Sequence, residues 1–265
     1  MIEQRMSLRA VVAGIAKRNL LATIRMPSII APSLIFPIFI LISFTSGFTA
    51  LTDLPNFPTD NFTSWYLPFA ALQGSSFAGA GAGFSAARDI ENGFFDRLLL
   101  SPGRRVGILL GGLSVGFVRS TITALVVIAT GFALGARPAV DDPLQVLGGL
   151  AVIILGAWAV ATMAGLWSLG VAYRLKTERA APLFFIVVFM ALFLSTAQVP
   201  IDLMNSGWLQ AIARWNPITY LLRFVRQGFV TPFSWADTWP GVVTVTAVLG
   251  LLFLWTWRAL ARYEK

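Results

Sequence analysis

Seven charged residues crowd into the stretch RDIENGFFDRLLLSPGRR, residues 88–105, in a chain where only 12% of residues are charged. Acids and arginines interleave there: Arg88, Asp89, Glu91, Asp96, Arg97, Arg104 and Arg105. Ile90, Phe94 and Leu98 recur every four residues, which predicts a short amphipathic helix over 88–100, ended by Pro102 and Gly103. Such a helix can rest on lipid headgroups or dock into another protein. The mixed signs favour the protein, because a lipid-facing helix draws on Lys and Arg rather than on acids. The chemistry offered here is recognition.

Bond-making chemistry has little to work with. The chain has no histidine and no cysteine, which removes the commonest general base and metal ligand together with every thiolate. A hydrolase acting inside a membrane needs a nucleophile facing a base, and no paired intramembrane carboxylates stand in for them. Gly79, Gly81 and Gly83 lie in LQGSSFAGAGAGFSA, but no G-x-x-x-x-G-K-[ST] occurs and no strand precedes them, which argues against a phosphate loop. Small residues at this density instead let helices approach closely in lipid. Gln73, Ser75 and Ser76 are polar groups in apolar surroundings and are expected to face protein or a water-filled path. Arg119 is expected to extend to the headgroups, with a buried ion pair or a gating role as the other readings. Arg223 and Arg226, three apart, should share one helical face and anchor lipid phosphates, with substrate binding as the second reading.

The elements that must hold these groups follow from the apolar content. At 57% hydrophobic residues and a mean hydropathy of +0.75, the chain suits a bilayer better than water. Residues 26–52, 61–87, 143–173, 180–201 and 238–257 carry no charge, and 106–136 carries only Arg119. About 20 apolar residues cross a hydrocarbon core, so six spans are predicted in an all-α integral membrane protein, one transmembrane domain over 1–265. Residues 105–135 exceed one crossing and should protrude. Pro27, Pro32 and Pro37 predict a kinked first span.

Leu8, Val11, Val12 and Ile15 predict an N-terminal interfacial helix within 1–26, and its recurring charges do not follow the order of a signal peptide. Residues 200–236 predict an external insert of two short helices, re-entrant or flat, broken at Asn216-Pro217, with Trp208, Trp215 and Trp235 at headgroup depth. With both termini inside, fifteen of the 20 basic residues fall on the inner side, which places 88–104 in the cytosol. The net charge of +8 reflects that bias and calls for no nucleic acid.

In the order of these parts, the whole chain resembles the permease subunit of ATP-binding-cassette exporters of the type-2 family, which includes daunorubicin-resistance-type permeases. That family's loop reads Glu, a short gap, Gly, then an apolar helix reaching Ser-Pro; here these are Glu91, Gly93, Leu98, Leu99, Ser101 and Pro102. Its external Asn-Pro and arginine-bearing helix map to Asn216, Pro217, Tyr220 and Arg223, with Arg226 beyond. Phe94-Phe95-Asp96 replaces the Thr-Leu-Glu that many relatives have. The resemblance implies that 88–104 holds a coupling helix seated in a groove of a separate ATPase subunit. Phe94, Phe95 and Leu98 would be its apolar anchors, and Glu91, Asp96 and Arg97 its orienting charges, with Arg88 beside them.

It further implies two ATPase subunits that bind ATP and magnesium, no cofactor or metal on this chain, and a second permease, identical or homologous. The location implied is the bacterial cytoplasmic membrane, with both termini cytoplasmic. The first, second and fifth spans would line the path, with Gln73, Ser76, Phe77, Phe185, Phe189, Phe193, Thr196 and Gln198 facing it. The cargo expected is an amphipathic small molecule or lipid, including antibiotics. A lipid-linked polysaccharide, or a non-transporting role as a membrane assembly factor, is the alternative.

Overall fold

The computed structural model of the protein describes residues 7–25, 27–100 and 105–263, and of 22–30 only the backbone where it is described. Ten α-helices are described: α1 (Leu8–Arg25), α2 (Pro27–Gly47), α3 (Phe62–Glu91), α4 (Phe94–Leu99), α5 (Arg105–Ala133), α6 (Pro143–Leu175), α7 (Ala181–Phe193), α8 (Gly207–Trp215), α9 (Pro217–Arg226) and α10 (Trp235–Ala261). Short polar side chains start several of them. Asn61 Oδ1 accepts from the Ser64 amide at 3.0 Å, and Asp142 Oδ1 accepts from Leu144 at 2.9 Å with Pro143 in the first turn of α6. Each satisfies a backbone donor that the first turn leaves free. Among the described residues three helices, α5, α6 and α10, are long and apolar enough to cross a membrane.

Helix α3 is the hub. Nearly every residue from Phe62 to Ala87 is buried, because α2, α5, α6 and α7 close around it. The glycines make that approach possible: a Cβ at Gly79 would lie 2.0 Å from the Ala161 carbonyl oxygen of α6, and one at Gly83 would lie 2.5 Å from Ser168 Cβ. Ser168 Oγ also accepts from the Gly83 amide at 3.1 Å. In lipid such dispersion contacts and interhelical bonds replace the hydrophobic drive between helices. By contrast α10 leaves Val243, Leu251 and Leu254 exposed along one flank, as a helix bathed in acyl chains would.

Four expectations are refined here. The single helix over 88–100 is two: α3 runs on to Glu91, Gly93 takes a left-handed φ of 68°, and α4 starts afresh at Phe94. A residue with a side chain would be strained at that φ, and the reversal removes Ile90 from the face that carries Phe94 and Leu98. Ser101, Pro102 and Gly103 lie outside the described residues. The run 180–201 holds only the 13 residues of α7, about 20 Å of helix and short of a crossing. Its last turn ends where Asn216 Nδ2 donates to the Ala191 and Leu194 carbonyls at 2.6 and 2.9 Å, satisfying acceptors that further helix would have used.

The N-terminal helix turns its predicted face to protein, for Val11 and Ile15 sit in notches that Gly107 and Gly111 leave in α5. The insert divides: α9 runs back into the bundle, burying Ile218, Leu221, Leu222 and Val225, while α8 stays on the surface with Trp215 90% exposed. Pro27 is the first residue of α2, while Pro32 and Pro37 lie inside it.

Candidate functional site

At the α4 end of the bundle, the residues expected to meet a partner fall into two groups. Glu91 Oε1 accepts from Thr177 Oγ1 and from the Glu178 amide, both at 2.8 Å. The Glu178 amide first, and the Thr177 hydroxyl second, hold the Glu91 carboxyl below the usual glutamate range. Arg88 Nε lies 3.0 Å from Glu178 Oε1. Asp89 is held by Arg18, whose Nη1 donates to Oδ1 at 3.2 Å and whose Nη2 meets Oδ2. The same guanidinium lies 4.4 Å from the centre of the Phe94 ring. The end of α3 is thereby tied to the 177–178 turn, and α1 is tied to both α3 and α4.

Phe95 is buried, against expectation for a docking anchor, between Tyr173 and Tyr263 at 5.3 and 5.0 Å. The six residues of α4 make fewer than two turns, so Phe94 and Phe95 must point apart, and the inner one fills the gap between α6 and α10. Tyr263 donates to Asp96 Oδ1 at 3.2 Å, and burial, aided by Asp96, pushes its phenol up to about 12. Glu91 likewise spends its charge within the chain. What faces outward is Phe94 (38% exposed), Arg97 and Leu100 (86% exposed), with Asp96 exposed and Leu98 half-buried. Leu100 was not singled out by spacing, since it falls outside the four-residue repeat. Arg18 carries no sequence signal for its role, being 71 residues from Asp89.

Between α2, α3 and α7 runs a seam of rings. Phe77 packs on Phe36 and Phe185 at 5.6 and 5.1 Å, and Phe36 meets Phe189 at 6.1 Å. Phe189 stacks on Phe193 at 4.3 Å, Phe193 meets Phe69 at 5.4 Å, and Phe69 meets Tyr66 at 5.0 Å. The four phenylalanines expected on a path thus join one continuous chain of rings, with Phe36, Phe69 and Tyr66 added by the tertiary structure. Gln73 falls four residues from both Phe69 and Phe77 and so lies on the same stripe of α3. It is 0% exposed, and neither its amide nitrogen nor its oxygen has a hydrogen-bond partner among the described residues. The Tyr66 hydroxyl is in the same condition.

Such groups each cost about 1–3 kcal/mol when left dry. Ser76 differs: its hydroxyl donates to the Gln73 carbonyl at 2.6 Å and so bonds back to its own helix. Thr196 is buried with its hydroxyl unpartnered among the described residues, and Gln198 offers its carbonyl to Trp65 Nε1 at 3.1 Å.

At the opposite end Asn216 caps α9, its Oδ1 accepting from Ile218 at 2.9 Å, with Pro217 opening the helix and Tyr220 donating to the Arg214 carbonyl at 2.8 Å. Arg223 is exposed, its guanidinium 5.9 Å from the Tyr220 ring. Arg226 corrects the expectation of a lipid anchor: it is 3% exposed, donating from Nε to the Trp65 carbonyl at 3.3 Å and from Nη2 to Ala197 at 3.0 Å. The inward face of α9 carries it with Leu222 and Val225, and the unwound chain after α7 supplies the carbonyl.

Arg119 does not reach the headgroups. It is buried, and a Cβ at Gly81 would lie 2.2 Å from its Nη1, so the guanidinium is seated against the bare backbone of α3 in a niche shared with Asn19, Gly112 and Gly116. Its side chain leans toward the start of α5, which α1 covers.

A family model described as ABC-2 type transporter matches residues 11–230. The chain is 28% identical over 211 residues to the daunorubicin resistance ABC transporter permease protein DrrB1 of Streptomyces coeruleorubidus, covering 79% of this chain and 71% of that one. It is 27% identical over 250 residues to the putative transport permease ycf38 of Pyropia yezoensis, covering 89% and 83%. It is also 27% identical over 157 residues to the probable doxorubicin resistance ABC transporter permease protein DrrC of Mycobacterium tuberculosis, covering 59% and 53%.

Proposed function

As a member of the ABC-2 type transporter family, the chain is a membrane permease subunit of an ABC exporter, and we propose that it moves an amphipathic small molecule across the bacterial cytoplasmic membrane along the α2–α3–α7 seam. The observation that carries this reading is that one helix, α3, bears both the ring stripe with its buried polar groups and, at its end, the segment leading into α4. A displacement of α4 has a stiff route into that seam. Arg18 joins Asp89 and Phe94, the 177–178 turn joins Glu91, and Phe95 is wedged against α6 and the end of α10. ATP binding in a partner can drive the change only if the two arrangements differ in nucleotide affinity.

In this reading the α4 end is cytosolic, both termini are inside, and six crossings are made, with α7 and the re-entering α9 sharing the fifth. A second permease, the same or homologous, faces the seam, whose rings Phe36, Phe77, Phe185, Phe189 and Phe193 stay half-buried in one chain. Two ATPase subunits bind ATP and magnesium and receive Phe94, Arg97 and Leu100. The cargo's apolar body replaces the ring-to-ring contacts, and its polar substituents satisfy Gln73 and Tyr66. Relatives named for daunorubicin and doxorubicin resistance support an aromatic amphiphile. A closely packed ring seam suits such a cargo better than a lipid-linked polysaccharide, which needs a wide path.

The test is reconstitution with the ATPase that co-purifies, using doxorubicin fluorescence to follow transport. A Phe94→Asp/Leu100→Asp variant should keep its unfolding temperature while losing cargo-stimulated ATP hydrolysis. Transport at the unmodified rate by that variant overturns the assignment of α4.

A further inference from the structure

Where α6 and α10 end beside α4, arginines gather on an indole platform that the transport reading leaves unused. Trp167 of α6 and Trp255 of α10 stack at 5.0 Å with their planes 8° apart, and Arg174 lies 3.8 Å from the Trp255 ring centre. The platform is fixed from three sides. Trp167 Nε1 donates to the Leu183 carbonyl at 2.9 Å, Arg174 Nη2 donates to the Trp255 carbonyl at 3.3 Å, and a Cβ at Gly170 would come within 1.9 Å of Trp255. Arg258 and Arg262 stand one turn apart on the exposed side of α10, and Arg262 is close enough to Arg174 to repel it. None of these three arginines forms an ion pair among the described residues. The nearest acid on α4, Asp96, already accepts from Tyr263.

We propose that Arg174, Arg258 and Arg262, set on the Trp255–Trp167 platform, bind the phosphodiester headgroup of an anionic phospholipid. Three arginines at neighbouring helix ends, none ion-paired among the described residues, call for an anion, and arginine forks match phosphate oxygens. The flank of α10 below them, with Leu251 and Leu254 exposed, is a surface for acyl chains, which a free phosphate or an acidic protein would not use. Indoles are enriched where a bilayer meets water. The site holds whichever side of the membrane this end meets, so it stands apart from the transport reading.

Native mass spectrometry of the purified full chain in neutral detergent, with phosphatidylglycerol or phosphatidylcholine added, reads the site directly. Unmodified protein retains phosphatidylglycerol in preference, and Arg174→Ala/Arg262→Ala lowers that retention about thirtyfold, at ~1 kcal/mol per basic residue. Arg258→Gln/Arg262→Gln, in exposed positions, gives the same loss if the first variant folds poorly. Arg137→Ala/Arg214→Ala, an equal change of charge elsewhere, leaves retention intact. The proposal is overturned if site and control variants behave alike, or if inorganic phosphate displaces the lipid. It is equally overturned if the site variants keep their lipid and lose a co-purifying protein instead.

Discussion

The guanidinium of Arg226 lies 3.4 Å from the ring centre of Trp65, a residue 161 positions earlier in the chain. That contact joins the end of α9, the start of α3 and, through the Ala197 carbonyl, the unwound chain after α7. No acid among the described residues forms an ion pair with it. Among the described residues, backbone carbonyls and the face of an indole are what stabilise this buried cation.

Arg226→Lys keeps the charge and loses the planar fork, which should lower stability by about 2 kcal/mol. Trp65→Leu should be coupled to it by about 1 kcal/mol in a double-mutant cycle of thermal unfolding. Strict additivity of the two substitutions would mean that the stack contributes nothing.

Gly79→Ala should separate α3 from α6, because the added carbon meets the backbone of Ala161 at 2.0 Å and no rotamer change relieves it. A loss of about 1–3 kcal/mol is expected. Gly14→Ala, with nothing within 4 Å, should instead stabilise α1 by about 0.5–1 kcal/mol. Thermal unfolding that ranks the two the other way contradicts the close approach.

Phe95→Ala and Phe94→Ala form a neighbouring pair with opposite expectations. The first empties a buried ring site between Tyr173 and Tyr263 and should cost about 3–5 kcal/mol. The second should leave the unfolding temperature nearly unchanged and reduce capture of the ATPase. If both destabilise equally, α4 presents no outward face.

The tie of Glu91 to Thr177 and Glu178 has a defined pH window. Its folded pKa is lowered, so the contribution is complete above the unfolded value of about 4.3 and is lost as pH falls through the lowered one. The protection factor of the Glu178 amide against hydrogen exchange should stay level from neutrality to about pH 5, then drop in more acid solution. Glu91→Ala should remove it throughout; an unchanged factor in that variant would show that the carboxylate is not the acceptor.

Gln73→Leu replaces two buried polar atoms, unpartnered among the described residues, with carbon of similar volume. It should raise stability by about 1 kcal/mol while lowering transport by the reconstituted complex, a split that thermal unfolding and a transport assay measure separately. Equal transport with higher stability would make Gln73 a bystander.

How much of this was legible in the chain itself depends on distance along it. The apolar runs, the proline and glycine breaks and the Asn216-Pro217 start of α9 are local, and they sufficed for an all-α membrane protein; the permease family came from the resemblance of their order. The identity of the seam phenylalanines was also within reach, since Phe185, Phe189 and Phe193 repeat every four residues. Local patterns could not say that Phe95 rather than Phe94 turns inward, because Gly93 resets the helical phase and the partners, Tyr173 and Tyr263, lie far off. Nor could they place Arg226 or Arg119, whose burial depends on carbonyls of a distant unwound segment and on a bare glycine in another helix. Charge and hydropathy fix which residues prefer lipid, water or one another; where a long cationic side chain ends is settled only when other helices supply the acceptors and the space.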